Sequence, residues 1–291
     1  MIAAPFIARW QVGPIVDGRF EGAWVLDDET LFSGHYPGAA ILPGFFLVEG
    51  LAQAAIAAAG GALVLKEIVR CRFHSPSAPG ERLTARFDLT DVGAGTTRVA
   101  VGVRGCADVA DVVMLLAPSV VGAALPVPSP PRQQAATVGR QLDAVFVSRA
   151  LPHRSPMLLI DDATIFEVPA ERFSLVARRH IVQGAPWTAQ GRRYPSILIA
   201  ESFGQACGVL RAGTAPSSEL REAKKLPVVA KLVGVRFIDD VDVGDILEHH
   251  VRLLARTGEG AVFSGQTLVK ERVVLEVGRI VAALSTSPRG P

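Results

Sequence analysis

A long apolar stretch at residues 45–60 dominates the hydrophobic pattern of the chain. Its only charged or amide side chains are Glu49 and Gln53, whose spacing of four residues places both on one face of a helix. Pro43 precedes the stretch and Gly60 ends it, so the pattern predicts a helix with defined ends. A carboxylate is costly to bury on an apolar helix unless it has a partner or a chemical role. Glu49 therefore requires an explanation.

Shorter segments on either side of this helix alternate between apolar and polar residues, and turn signals separate them. These segments lie at residues 9–30, 63–73, 82–89, 97–103 and 108–116. Alternation of this kind predicts strands. A long buried helix packed against an antiparallel meander is an α+β fold.

The second half of the chain repeats the first. Residues 195–206, PSILIAESFGQA, align without a gap on residues 43–54, PGFFLVEGLAQA. The alignment pairs three positions of the two copies, namely Pro195 with Pro43, Glu201 with Glu49 and Gln205 with Gln53. An internal repeat of this length predicts two copies of one helix-on-sheet unit.

Further matches define the limits of the two copies. Arg236 and Phe237 match Arg72 and Phe73 at an offset twelve residues larger, which an insertion around residues 213–225 absorbs. The proline-rich residues 125–132, LPVPSPPR, favour an extended linker. We therefore predict an N-terminal domain at residues 1–120, a linker at residues 121–140 and a C-terminal domain at residues 141–291. The two domains would form a fused pseudo-dimer.

Composition places the chain among well-packed globular proteins. Hydrophobic residues make up 49% and charged residues 20% of the sequence, which argues against bulk disorder. The net charge of +2 is close to neutral, and no basic stripe is interleaved with aromatic residues. Nucleic-acid binding is therefore disfavoured.

Cysteine usage and the N-terminus indicate a cytoplasmic protein. The three cysteines form no CxxC pair, so neither a zinc site nor a disulfide framework is expected, and a reducing compartment fits. The first ten residues lack the features of a signal peptide. Residues 45–65 are long enough to cross a bilayer, but their polar side chains and glycines favour a helix wrapped by a sheet. We expect no membrane segment.

The two copies differ at a histidine. His35 lies in a Gly/Pro-rich loop before the first helix, and the same spacing before Glu201 leads to Trp187. If the second loop has lost residues, Arg192 takes the histidine position instead. Either way, the second copy keeps the carboxylate and lacks the imidazole. Conversely, residues 151–161, LPHRSPMLLID, have no counterpart that the sequence reveals in the first copy.

These motifs carry a family resemblance. Residues 34–54, GHYPGAAILPGFFLVEGLAQA, resemble the signature of the beta-hydroxyacyl-ACP dehydratases of fatty-acid synthesis, the FabZ type. Residues 151–161 resemble the N-terminal motif of that family. The resemblance implies a hotdog fold, in which an antiparallel sheet wraps a long central helix. Here it implies a double hotdog, two such units fused in tandem, one of them degenerate.

The resemblance also implies which residues share an active site. Members act as dimers, with the histidine from one hotdog and the carboxylate from the other. The resemblance therefore pairs His35 with Glu201 as the catalytic residues. Glu49 would face Trp187 or Arg192 in a vestigial second site. One live site per chain is expected.

Dehydration of a 3-hydroxyacyl thioester suits this pair of residues. A neutral imidazole can remove the proton alpha to the carbonyl, and a desolvated carboxylic acid can protonate the departing hydroxyl. A backbone N–H at the start of a central helix can stabilise charge on the thioester oxygen, and Gly44 and Ser196 are both candidates. Gln205 and Gln53 are expected to hold backbone or carboxylate groups in place. The chemistry calls for no metal and no other cofactor.

The remaining histidines receive structural interpretations. His153, with Arg154, lies in a motif that we expect to anchor the entry to the second sheet. The others lie in strand-like segments without metal-ligand spacing and are expected to be solvated or interfacial: His74, His180, His249 and His250.

The resemblance implies that the chain converts 3-hydroxyacyl chains on an acyl carrier protein into trans-2-enoyl thioesters. The pathway would be fatty-acid synthesis or a polyketide or polyene type of synthesis, and further assembly of fused pseudo-dimers is compatible with it. Three alternatives stay open: a dehydratase that also isomerises the double bond, a hotdog thioesterase, and a non-catalytic acyl-binding subunit. Isomerising relatives carry Asp where this chain has Glu49 and Glu201, and the histidine–glutamate frame disfavours a thioesterase.

Overall fold

The computed structural model describes most of the chain as an α+β structure. The described residues are 5–60, 62–118, 139–168, 172–185, 187–188, 192–215, 225–257 and 260–286. Most of the predicted linker, residues 121–138, lies outside them. Among the described residues, no helix combines the length and the apolar character needed to cross a bilayer.

The described part of the first half contains six strands and one long helix. Its elements are β1 (Gln11–Val12), β2 (Arg19–Val25), a 3-10 turn (Glu29–Phe32), α1 (Gly44–Ala59), β3 (Leu63–Phe73), β4 (Arg82–Asp91), β5 (Thr97–Arg104) and β6 (Asp108–Pro118). Burial alternates along β2 and β4, as the period of two in the sequence predicted.

The second half repeats this order with additional short elements. It comprises β7 (Arg140–Leu142), α2 (Ala144–Ala150), β8 (Asp162–Val168), β9 (Arg172–His180), β10 (Arg193–Tyr194), α3 (Ser196–Gly213), β11 (Lys225–Phe237), β12 (Val241–Asp242), β13 (Ile246–Thr257), β14 (Gly260–Val269) and β15 (Arg272–Thr286). The predicted internal repeat is therefore present in the fold.

Most strands of the two halves join into one sheet, and β10 and β12 pair separately. Thirteen strands run in the order β1-β2-β4-β5-β6-β3-β11-β15-β14-β13-β9-β8-β7, and neighbours are antiparallel. The seam is the β3–β11 pair, where Ile68 lies opposite Val235. On each side of the seam the strands follow corresponding orders. The predicted double hotdog has two antiparallel sheets, each around a central helix. In the structure these sheets join edge to edge, which satisfies the backbone groups of two otherwise unpaired edges.

Each half packs its sheet around a central helix. The polar side chains of the otherwise apolar α1 are Glu49 and Gln53. The helix ends at Gly60, which adopts the left-handed conformation (φ 68°) that favours glycine. In α3 nearly the whole circumference is buried, because it contacts strands β8, β9, β11, β13, β14 and β15. The two helices also contact each other, which brings the candidate residues of both halves together.

Candidate active site

His35 lies in the loop between the 3-10 turn and α1, and its imidazole is buried. Its Nδ1 lies 2.9 Å from the backbone oxygen of Ile41. Because a carbonyl oxygen can only accept a hydrogen bond, Nδ1 carries the proton and Nε2 keeps a lone pair. Burial lowers the pKa of His35 to about 4, so the imidazole is neutral at pH 7. The unprotonated Nε2 is therefore able to accept a proton at pH 7.

Gly34 allows the loop of the second half to reach His35. Its φ of +74° lies in the left-handed region, and a Cβ at this position would collide with the backbone oxygen of Arg154. The Arg154 N–H donates to the Gly34 oxygen at 2.8 Å. This backbone contact places His153 beside His35, with ring centroids 5.0 Å apart.

Glu201 projects from the second turn of α3 and is buried. Burial raises the pKa of its carboxyl to about 7, although a hydrogen bond from Gln205 acts in the opposite direction. The Gln205 Nε2 donates to the Glu201 Oε1 at 3.0 Å. The acidic proton of the neutral carboxyl therefore belongs on Oε2, where it is available for donation.

Gln205 also fixes the loop that precedes β8. Its Oε1 accepts from the Leu159 N–H at 2.9 Å, and its Nε2 donates to the Met157 oxygen at 2.7 Å. Gln205 therefore contacts two backbone groups and the Glu201 carboxyl, and its supporting role in the site stays a prediction.

The structure thus brings together His35 from the first half and Glu201 from the second. Together with His153, each offers one nitrogen or oxygen atom within 4.8 Å of the others. Of the described residues, these three form the set whose donor atoms are close enough to hold a metal ion, a geometry that sequence spacing did not indicate. The set could accept zinc, which binds imidazole and carboxylate groups.

The three side chains line a cavity of about 370 Å³. Its walls are largely apolar and include Leu42, Phe45, Leu47, Phe73, Val228 and Val229. A cavity of this volume with a few convergent polar groups suits a small ligand or one end of a larger one. The Glu201 carboxyl, whose pKa is raised, and the neutral imidazoles therefore share one apolar cavity.

The two candidate oxyanion groups occupy different places. Gly44 lines the cavity and begins α1, where Pro43 provides no side-chain cap. A Cβ on Gly44 would lie 2.7 Å from the Phe73 ring, so glycine permits this close packing. Ser196 begins α3 but is not among the described residues that line the cavity.

Glu49 forms a similar local arrangement in the first half. The Gln53 Nε2 donates to the Glu49 Oε1 at 2.9 Å and to the Phe6 oxygen at 3.0 Å, and the Gln53 Oε1 accepts from the Ala8 N–H at 2.8 Å. Phe6 and Ala8 therefore take the places that Met157 and Leu159 take around Gln205. The first half does have a counterpart to part of residues 151–161, formed by the N-terminal segment. The sequence missed it because these contacts use backbone atoms.

Trp187 and Arg192 occupy different environments. The Trp187 Nε1 donates to the Pro156 oxygen at 2.9 Å, and its ring packs edge-on against Phe46, three residues before Glu49 on α1. Arg192 is exposed, and its backbone oxygen accepts from the Val243 N–H. Burial raises the pKa of Glu49 as well.

Two histidines differ from their sequence interpretations. His153 lines the cavity, with its Nε2 3.6 Å from the Glu201 Oε1, a position that its interpretation as a sheet anchor did not predict. His249 is fully buried, which contradicts the expected solvated or interfacial position. Since consecutive strand residues point to opposite faces, one of the adjacent pair His249 and His250 must face the core. His180 is exposed and bonds to Asp161.

Comparison with families and curated proteins points to dehydratases. The model of the ApeI-like family, described as ApeI dehydratase, matches residues 20–100. The chain is 32% identical over 142 residues to the 3-hydroxyacyl-[acyl-carrier-protein] dehydratase FabZ of a Nitratiruptor species. That match covers 46% of this chain and 93% of the relative. Nearly the whole relative thus corresponds to less than half of this chain, as one unit of a tandem repeat should.

Comparison with solved structures covers both halves. The dehydratase domain from the CurJ module of curacin polyketide synthase superposes with a TM-score of 0.68 at 14% identity, over 97% of each chain. The dehydratase domain of PpsC from Mycobacterium tuberculosis, in complex with C12:1-CoA, gives a TM-score of 0.65 at 18% identity, over 97% of this chain and 99% of that domain. These likenesses show that the fold is a double hotdog.

Proposed function

We propose that His35 and Glu201 remove water from a 3-hydroxyacyl thioester in this chain, which belongs to the FabZ-type 3-hydroxyacyl-[acyl-carrier-protein] dehydratases. The product is the trans-2-enoyl thioester. One observation carries the proposal: a neutral imidazole with a free Nε2 and a carboxyl with its pKa raised to about 7 meet in one apolar cavity. The two groups come from different halves of the chain.

The reaction uses both groups in their resting protonation states. The Nε2 of His35 takes the proton from the carbon next to the thioester carbonyl, and the electron pair of that C–H bond forms the new double bond. The C–O bond to the hydroxyl breaks, and the Glu201 Oε2 gives its proton to the leaving oxygen to form water. His35 is then an imidazolium and Glu201 a carboxylate. Transfer of the proton from His35 to Glu201 restores the site.

The Gly44 N–H is our candidate for stabilising the thioester oxygen. Negative charge develops on that oxygen as the alpha proton leaves. Support comes from the position of Gly44 on the cavity wall, at the positive end of the α1 dipole. Ser196 lacks this position, and we therefore favour Gly44.

The second site is proposed to be vestigial. Its carboxyl, Glu49, remains, but the residue at the histidine position by ungapped spacing is Trp187. The packing of Trp187 against Phe46 supports this equivalence over Arg192, which is exposed. An indole N–H that already donates to Pro156 cannot accept the alpha proton. The chain would then hold one live site.

The substrate is proposed to arrive on an acyl carrier protein, since the relatives are named for carrier-bound substrates. The apolar cavity suits an acyl chain in fatty-acid or polyketide-type synthesis. We also propose a cytoplasmic location, which the three free cysteines support. Further assembly of the fused chain stays a prediction.

A mass-spectrometric assay tests this function. Purified protein is incubated with 3-hydroxyacyl chains of varied length on a carrier protein, with His35→Ala as the inactive control. Loss of the mass of one water, with a trans-2-enoyl product, is expected for the unmodified protein. A cis-3-enoyl product would indicate an isomerising dehydratase, and free acid would indicate a thioesterase. Binding without turnover at every chain length would indicate a non-catalytic subunit and refute the proposal.

A further inference from the structure

A group of polar side chains lies buried behind Glu201, away from the reacting atoms. Ser202, His249 and Thr267 are each fully buried. The Ser202 Oγ lies 2.7 Å from the His249 Nε2, and the His249 Nδ1 lies 2.8 Å from the Thr267 Oγ1. The group therefore connects α3 with the adjacent strands β13 and β14.

The direction of each hydrogen bond follows from the backbone oxygen of Leu159. The Ser202 hydroxyl donates to this oxygen at 2.8 Å, so Ser202 must accept from the His249 Nε2–H. Burial lowers the pKa of His249 to about 3, so the ring is neutral and its Nδ1 has no proton. Nδ1 consequently accepts from the Thr267 hydroxyl. Each of the three side chains is satisfied in this one arrangement.

The same peptide segment continues the connection to the active site. The Leu159 N–H donates to the Gln205 Oε1 at 2.9 Å, and the Gln205 Nε2 donates to the Glu201 Oε1 at 3.0 Å. Hydrogen bonds therefore link Thr267 to Glu201 through His249, Ser202, Leu159 and Gln205. We call Ser202, His249 and Thr267, with their hydrogen-bond connection through Leu159 and Gln205, the buried relay.

The first half of the chain provides an internal comparison. It retains the glutamine links, since Gln53 bonds to Glu49 and to the Ala8 N–H. The three other relay positions, by the offsets of the repeat and by strand register, are Gly50 for Ser202, Ala85 for His249 and Val103 for Thr267. Three polar residues therefore occur in the half that supplies the acid and are missing from the half whose glutamate we assign to the vestigial site.

The hotdog fold itself does not require polar groups at these positions. In the first half, a Cβ on Gly50 would lie 2.9 Å from the Trp24 ring and 3.3 Å from the Trp10 Nε1. Aromatic rings thus fill the space that the relay fills in the second half. Buried polar networks must be fully satisfied, and an apolar core is an adequate alternative for stability.

We propose that Ser202, His249 and Thr267 are positioning residues for the acid Glu201. They fix α3 and residues 157–159 against the sheet, so that Gln205 stays on the Glu201 Oε1 and the acidic proton stays on Oε2. This inference rests on the proposed dehydratase function. Because the relay acts on proton donation and does not contact the substrate, its loss lowers kcat and leaves KM nearly unchanged.

Steady-state kinetics of four variants test the relay. Ser202→Ala removes the hydroxyl on α3 that donates to the Leu159 oxygen. Thr267→Val removes the hydroxyl that donates to His249 at the far end of the relay. Ser202→Ala is expected to lower kcat at least about tenfold with little change in KM, and Thr267→Val to lower kcat in the same direction. Thr267→Ser keeps the hydroxyl and should restore most of the lost kcat. Thr188→Val is the matched control, since it removes another buried threonine hydroxyl, one that bonds to the Val182 oxygen outside the relay.

The outcomes separate the relay from general stability and from the proposed function. Melting temperatures are measured for every variant. The positioning role of the relay is refuted if Ser202→Ala and Thr267→Val keep the kcat of the unmodified protein. It is also refuted if Thr188→Val loses as much kcat as Thr267→Val. If Ser202→Ala does not fold, the comparison of Thr267→Val with Thr267→Ser still decides. An unmodified protein without turnover would refute the dehydratase function and the relay with it, whereas an active protein with insensitive variants would refute the relay alone.

Discussion

The Nε2 of His153 lies 3.6 Å from the Oε1 of Glu201, and both side chains are buried. Burial lowers the pKa of His153 well below its ordinary value, and repulsion of its charged form by His35 and Arg154 acts in the same direction. The imidazole is therefore neutral, and no cation at this position stabilises the ionised form of Glu201. Because His153 is neutral, the Glu201 carboxyl stays protonated to a higher pH than it would beside a cation.

Placing a permanent positive charge at position 153 should weaken this acid. In His153→Arg the guanidinium stays charged, and an opposite charge within a few ångströms lowers a carboxyl pKa by about one to three units. The alkaline limb of kcat/KM should therefore move to lower pH. His153→Gln, which is neutral, serves as the control and should leave that limb in place. An unmoved limb in a folded His153→Arg protein would show that charge at position 153 does not affect the pKa of Glu201.

The unmodified enzyme should have a bell-shaped pH profile of kcat/KM. His35 must be neutral to take a proton, so activity falls as the pH decreases through its pKa of about 4. Glu201 must be protonated to give one, so activity falls as the pH increases through its pKa of about 7. In Glu49→Gln both limbs should persist. A profile that rises through pH 7 would mean that the carboxyl works in its ionised form.

The repeat and the motif spacing locate His35 and Glu201 in the sequence, and the resemblance to the dehydratase family implies their pairing. The position of His153 could not be predicted, since it depends on residues 153–156 reaching the Gly34 backbone more than a hundred positions earlier. For His249, the alternation of a strand places one of two adjacent histidines in the core but does not identify which one.

The strands of the fold were predictable to a similar extent. The predicted segment at residues 63–73 coincides with β3. The pairing of β3 with β11 was not predictable, because it depends on backbone hydrogen bonds between strands far apart in the chain. The same reason explains why the N-terminal segment at Phe6 and Ala8 was missed as a partner of Gln53.

Zinc ions should inhibit the enzyme. His35, His153 and Glu201 each offer a donor atom within 4.8 Å of the others, and two imidazoles with a carboxylate are a zinc-binding set. A bound ion would occupy the lone pair and the carboxyl that the reaction requires. Turnover should fall on zinc addition and return on addition of a chelator.

His153→Gln provides the control for zinc, because it removes one donor from the set. The zinc concentration that halves its activity should increase by more than about tenfold relative to the unmodified protein. Direct titration by calorimetry should show the same loss of affinity. Equal zinc sensitivity in both proteins would place the inhibitory ion elsewhere.

The matched substitutions Glu201→Gln and Glu49→Gln test the single-site mechanism most directly. Each replaces a carboxyl by an amide of the same shape that can still accept a hydrogen bond from its helical glutamine, Gln205 or Gln53. The measurement is kcat for dehydration of one carrier-bound 3-hydroxyacyl substrate by the two folded variants. We expect Glu201→Gln to lose at least about 10²-fold in kcat and Glu49→Gln to stay within about twofold of the unmodified protein. Loss of activity in Glu49→Gln with activity retained in Glu201→Gln would contradict the pairing of His35 with Glu201.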